Sequence, residues 1–201
     1  MTDRGPSRTA RGPSREERRA ERAATTDDDV VMAAAARFLE ARPRSVAEVR
    51  RRLHRQGYPD PLVLVAVDRL VDLGLLDDVA FARSWLESRD RAHPRGERAL
   101  RTELLEKGVG RTVVDEVLAD RRSTAGDETA DGESDLPDEA AAERLVARRA
   151  VSLGRVADPR VRRARTYALL ARNGFSPSVC ARVAARFANG DAPGEDPDDA
   201  V

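Results

Sequence analysis

Three glycines limit what this chain can become. Aligning Gly57, Gly108 and Gly174 superimposes LHRQGYPDPLVLVAV, LLEKGVGRTVVDEVL and LLARNGFSPSVCARVA. Leucine stands four residues before each glycine (Leu53, Leu104, Leu170), and an apolar residue follows it directly (Tyr58, Val109, Phe175). Apolar residues recur five positions on (Leu62, Val113, Val179) and nine positions on (Ala66, Val117, Val183). A Pro-Arg pair leads the first two glycines by fourteen residues (Pro43, Pro94) and the third by fifteen (Pro159). One structural unit therefore occurs three times.

The spacing has a mechanical reason. Proline suits the first turn of a helix, and glycine just past the end takes the left-handed conformation without a Cβ clash. Each Pro-Arg to Gly interval therefore predicts a short helix. In the first copy Ser45 and Glu48 form a capping-box pattern, and Val46, Val49 and Leu53 recur at helical spacing. A second helix follows each glycine; Asp60-Pro61 and Ser176-Pro177 read as a capping residue ahead of a first-turn proline. A further helix precedes each Pro-Arg pair, over 30–41, 79–90 and 139–152, the middle one carrying Phe81 and Trp85 one turn apart. The expected fold is all-α: nine helices in three tandem three-helix repeats. Such units bury their apolar faces by stacking on neighbours, which implies an elongated, curved array.

Composition agrees. Seven of 201 residues are aromatic, too few for an architecture dominated by sheet. A lone cysteine, Cys180, forms no internal disulfide, and His54 and His93 lie too far apart for a helical two-histidine metal motif. No metal or cofactor is expected. The longest uncharged apolar run, around Leu62 to Val67, falls far short of the roughly 18 residues a membrane helix needs. The N-terminus lacks the apolar core of a secretory signal, so the expected location is cytoplasmic. The expected state is monomeric.

The formal charge of zero hides segregation. Residues 139–189 carry eleven basic and three acidic groups, whereas 123–138 carry six acidic and no basic ones, and 190–201 five acidic and none basic. The acidic stretches are rich in Gly, Pro, Ser and Asp, and bury too little apolar surface to offset the entropy of ordering. The expected organisation is a disordered tail over 1–29, repeats over 30–76 and 77–122, an acidic disordered linker over 123–137, a third repeat over 138–189, and an acidic disordered tail over 190–201.

No catalytic chemistry is legible. A phosphate-binding loop needs Gly-Lys-Ser/Thr, but Lys107, the only lysine, stands between Glu106 and Gly108. No G-x-S-x-G elbow occurs, and Asp77-Asp78 stands where a helix N-cap is expected, on side chains that point apart. The chain reads as a binding protein. The helix before each glycine is net positive, and Arg50 with Arg101, and Arg55 with Arg172, occupy matching repeat positions. Stacked repeats would align them into a basic ridge suited to phosphates or an acidic groove.

The stretches RPRSVAEVRRRLHRQG, LGLLDDVAFARSWLESR and RALRTELLEKGV resemble the RecX family, bacterial regulators of the recombinase RecA, over roughly residues 30–187. The pattern of Leu76, Asp77, Asp78, Phe81 and Ala82, with Glu103-Leu104 and Lys107-Gly108, carries the likeness. HPRG at residues 93–96 departs from the Gly-rich basic turn of that family, and the third unit matches least. The resemblance implies a non-enzymatic modulator lying in the helical groove of the RecA filament on single-stranded DNA. It would limit filament extension, ATP hydrolysis and strand exchange, with inhibition the expected direction, in homologous recombination, DNA repair and the SOS response. The expected contact surface is Arg50, Arg51, Arg55, Arg95, Arg98, Arg101 and Lys107, extended by Arg160, Arg162, Arg163 and Arg172. The rival reading is a helix-turn-helix-like protein acting directly on DNA. Residues 45–76 resemble half of such a motif, but the chain continues into a helix where a β-wing would stand. Weak binding to single- or double-stranded DNA is compatible with either reading.

Overall fold

The computed structural model describes residues 12–124 and 136–190. Eleven helices lie among them: α1 (Arg15–Ala23), α2 (Asp28–Leu39), α3 (Val46–Gln56), α4 (Asp60–Asp72), α5 (Asp78–Ala92), α6 (Glu97–Lys107), α7 (Arg111–Thr124), α8 (Leu136–Ala147), α9 (Ala150–Gly154), α10 (Pro159–Arg172) and α11 (Pro177–Asn189). No strand occurs among the described residues, and none of the helices is long and apolar enough to cross a membrane. The fold is all-α, as the repeat predicts. The chain divides into two compact units, one ending at Leu76 and the other beginning at Asp77.

In the first unit α2, α3 and α4 close around Val31, Val49, Leu53, Val63, Val67 and Leu70. Ser45 caps α3 with the reciprocal Glu48 contact expected from the sequence. Gly57 ends that helix at φ 95°, and the Tyr58 N–H donates back to the Leu53 carbonyl. Helix α4 begins one residue earlier than the sequence suggests. Its N-cap is Pro59, so Asp60 is already helical and its carboxylate lies 3.0 Å from His54 Nδ1 instead of capping.

The expected disordered tail over 1–29 is corrected in part. Residues 15–23 form α1, opened by a capping box between Ser14 and Glu17, and α2 starts at Asp28. No residue of α1 is buried, yet Arg22 lies over the Tyr58 ring at 5.9 Å and Arg19 covers the Gly57 turn. A β-carbon on Gly57 would meet Arg19 Cγ at 2.8 Å.

The second unit holds two helical cores, one of three helices and one of four. Helices α5, α6 and α7 enclose Phe81, Leu86, Leu100, Leu104, Val114 and Leu118. Helices α8 to α11 enclose Ala142, Val146, Leu170, Phe175, Val179 and Val183. Leu53, Leu104 and Leu170, the repeat leucines, are each wholly buried, which explains why that position never varies among the copies. Asp77 caps α5 by accepting from the Val79 and Ala80 N–H groups, so the Asp77-Asp78 pair is a helix start. The first helix of the third repeat, expected as continuous over 139–152, is interrupted at Arg148 and Arg149 and becomes α8 and α9. Arg148 there reaches back to the Arg91 and Ala92 carbonyls at the end of α5.

The acidic connection is shorter than expected, because α7 runs to Thr124 and α8 starts at Leu136. The remainder of it, residues 125–135, lies outside the described residues, as do residues 191–201 of the C-terminal tail. Its flanks carry the main polar link between the repeats. Arg121 donates to both oxygens of Asp90 at 3.0 Å and to Asp138 Oδ1 at 2.8 Å, while Asp138 Oδ2 accepts the Glu97 N–H at 2.9 Å. Burial works against the Arg121 charge, but Asp90 and Asp138 outweigh it and hold that pKa above the usual guanidinium range. Burial pushes the Asp138 carboxyl up, opposed by the Glu97 N–H and by Arg121.

A backbone contact completes the joint. Gly96 N–H donates to the Asn173 carbonyl at 3.0 Å, and a β-carbon on Gly96 would stand 2.3 Å from Phe175 N. Gly174, at φ 85°, would place a β-carbon 2.6 Å from Ala99 N. The glycine of HPRG is thus demanded by the neighbouring repeat.

Candidate functional site

Trp85 and Arg89 lie one turn apart on α5, Glu103 and Lys107 one turn apart on α6, and helical periodicity turns both pairs to the same side. Glu103 Oε2 accepts the Trp85 indole N–H at 3.0 Å and Arg89 Nε at 2.6 Å. Arg95 Nε stands 3.7 Å from Glu103 Oε1, and Arg95 also donates to Asn173 Oδ1 at 2.6 Å, tying the cluster to α10. The Trp85 ring receives two cations, Arg89 at 4.4 Å and Lys107 Nζ at 4.8 Å, and stacks on Phe81 with centroids 6.1 Å apart. Arg89 and Arg95 thus meet one carboxylate, while Arg89 and Lys107 lie over the indole, gathering cationic groups around one aromatic ring. Such a half-buried aromatic and cationic surface suits contact with acidic or carbonyl groups of a macromolecule.

The sequence-predicted contact residues separate into two kinds. Arg50, Arg51, Arg55, Arg98, Arg160, Arg163 and Arg172 are exposed. The other four are tied into the fold. Arg101 pairs with Asp115 on α7 and with Glu97 at 3.3 Å, which raises its pKa, the Asp115 hydrogen bond being the main cause. Arg95 and Lys107 belong to the Trp85 cluster, and Arg162 donates to the Val156 and Ala188 carbonyls at 3.2 and 2.7 Å. Arg162 thereby closes the end of α11 and is a structural residue. Arg50, Arg51 and Arg55 stand on α3 of the first unit and the remaining candidates in the second.

Arg89 and Glu103 were not singled out as contact residues from the sequence. Their signal was present: Glu103 lies in the conspicuous RALRTELLEKGV stretch, and Arg89 falls one turn after the only tryptophan. Trp85 packs against the second core and has a polar partner as well.

Asp27, Asp28 and Asp29 are the one acidic triplet among the described residues close enough to share an ion; they are exposed, and Asp27 caps α2 through the Asp29 N–H. Cys180 is buried in the third core, and burial pushes its thiol pKa up, away from nucleophilic use. A cleft of about 540 Å³ between α5 and α7 has an apolar floor of Leu86 and Val117 and a rim where Arg83 pairs with Asp120 at 2.8 Å.

Comparison with known proteins bears on the same regions. Residues 32–70 match the family model described as RecX, first three-helix domain, and residues 77–118 match RecX, second three-helix domain. A protein named Regulatory protein RecX from Mycobacterium sp. (strain KMS) is 46% identical over 84 residues, covering 42% of this chain and 46% of that protein. The chain thus spans about half the length of such mycobacterial relatives. The Regulatory protein RecX of Thermobifida fusca (strain YX) is 33% identical over 148 residues, covering 73% of this chain and 72% of the relative. Among solved structures, RecX from Lactobacillus salivarius superposes with a TM-score of 0.66 at 17% identity, covering 80% of this chain and 96% of the other. That likeness shows the fold. A solved structure called regulatory protein RecX gives a TM-score of 0.61 at 19% identity, covering 84% of this chain and 72% of the other. The tandem domain matches and the extent of the Thermobifida fusca alignment place this chain in the RecX family of regulatory proteins.

Proposed function

We propose that this protein is a non-enzymatic, cytoplasmic regulator of the RecA recombinase, acting as a monomer in the groove of the RecA filament on single-stranded DNA. There it limits filament extension, ATP hydrolysis and strand exchange, and so restrains homologous recombination, DNA repair and the SOS response. The observation that carries this reading is the pair of RecX domain matches in tandem, over residues 32–70 and 77–118. The exposed guanidiniums of Arg50, Arg51 and Arg55 in the first unit and of Arg98, Arg160, Arg163 and Arg172 in the second supply the contact surface, with Arg95, Arg101 and Lys107 of the second unit held by intramolecular partners.

The test is DNA-dependent ATP hydrolysis by the cognate recombinase, titrated with this protein up to equimolar amounts beside a DNA-only binding control. Inhibition well below equimolar supports action on the filament. Tight DNA binding with unaffected hydrolysis overturns it in favour of direct action on nucleic acid. Arg98→Glu tests the surface on α6, because Arg98, unlike Arg101, carries no ion pair to α7; weaker inhibition at unchanged helicity is expected.

A further inference from the structure

Between α9 and α10 runs a groove of about 300 Å³ whose floor is Leu153, Ala168 and Leu169 and whose rim is Arg149, Arg165 and Arg172. Arg165 and Arg172 stand two turns apart on α10, roughly 10 Å along its axis, and Arg149 faces them from the start of α9. All three are exposed, and none has a carboxylate partner among the described residues. The acids of this repeat are committed elsewhere. Asp138 holds Arg121, Glu139 holds Arg182 and Arg186, Glu143 holds Arg186 at 2.9 Å, and Asp158 caps α10 by accepting the Arg160 N–H at 2.8 Å. This is unlike α6, where Arg101 is neutralised by Glu97 and Asp115.

We propose that this groove is a binding site for the sugar-phosphate backbone of a single-stranded nucleic acid. Three guanidiniums with no carboxylate partner among the described residues match phosphates, which they can bind in bidentate fashion. The apolar floor decides between strand forms. A duplex presents rows of phosphates with its bases stacked inside, whereas a single strand also exposes sugar and base faces that Leu153 and Leu169 can cover. Arg172 is shared with the proposed filament-contact surface, but the measurement below uses DNA without recombinase, so its failure is distinguishable from failure of the regulatory reading.

The experiment uses the full chain and a fluorescein-labelled oligodeoxynucleotide of about 20 residues, with anisotropy read between about 50 and 200 mM salt. Removing three phosphate contacts in R149Q/R165Q/R172Q should make the log-log salt slope shallower by about 2. The parent should therefore lose about 20-fold more affinity than the variant across that salt range. R149K/R165K/R172K should retain most of the slope, and far-UV circular dichroism should be unchanged in both. R37Q/R69Q/R83Q removes the same net charge elsewhere. An equal loss of slope in that control overturns the groove as the site. Competition by a duplex as effective as by the single strand overturns the strand form, and equal competition by poly-glutamate overturns the phosphate chemistry.

Discussion

The indole N–H of Trp85 donates to Glu103 Oε2 at 3.0 Å, so the only tryptophan in the chain reports on the carboxylate at the centre of the second repeat's cationic patch. Glu103→Ala leaves the half-buried indole N–H without its acceptor and Arg89 and Arg95 without their shared counter-charge. The expected cost is about 1–3 kcal/mol, with a shifted Trp85 emission maximum in the folded protein. Glu103→Gln keeps an acceptor for the indole and should move the emission less than Ala does.

Gly96 and Gly174 make a paired prediction. Gly96→Ala drives a β-carbon into the backbone of Gly174 and Phe175, and should destabilise by about 1–3 kcal/mol or more through overpacking. Gly174→Ala adds the strain of φ 85° to a clash with Ala99. Gly190→Ala is the control, because φ is 91° there but open space surrounds the added methyl. It should cost only the left-handed penalty of about 1–2 kcal/mol. Urea denaturation of the three variants separates strain from collision.

Arg121→Ala should be more damaging than the loss of any exposed arginine. Its side chain is 9% exposed and holds two carboxylates, Asp90 and Asp138, that are themselves 26% and 10% exposed. Taking away one member of such a buried set leaves charge uncompensated, at a cost of about 3–5 kcal/mol. Arg83→Ala, which breaks an exposed pair with Asp120, should shift the denaturation midpoint far less.

Cys180 offers a label for opening of the third repeat. It is fully buried in the core, and its thiol pKa is pushed up, so a thiol reagent should react slowly in the native protein. Labelling should accelerate in Arg121→Ala and in Gly96→Ala if the joint between the repeats restrains that core. Equal labelling rates in parent and variants would show that the third core closes without the joint.

The repeat was legible because a single physical demand recurs: a helix end needs left-handed backbone, and the leucine one turn earlier must be buried. Gly57, Gly108 and Gly174 all have positive φ, and Leu53, Leu104 and Leu170 all have zero exposure. Helix α1 is less legible, because the polar, charge-rich composition of residues 1–29 argues for disorder while only the capping box at Ser14 and Glu17 marks a helix start. The roles of the arginines were less legible. Arg98, Arg101 and Arg162 look alike in sequence; what separates them is whether Asp115 or the Ala188 carbonyl lies within reach, a fact about packing between helices remote in the chain.

The bond between Arg121 and Asp138 also has a consequence for how this family can vary. Seventeen positions separate these residues, yet their side chains meet at 2.8 Å, so the two ends of the acidic connection are pinned together by the fold. The connection is then a closed loop whose entropic cost grows only as about (3/2)RT ln n, and doubling its length costs about 0.6 kcal/mol. Insertions, deletions or new chain termini opened between Thr124 and Leu136 should leave the pairing of the second and third repeats intact, making this the place where relatives can differ in length at little cost to stability.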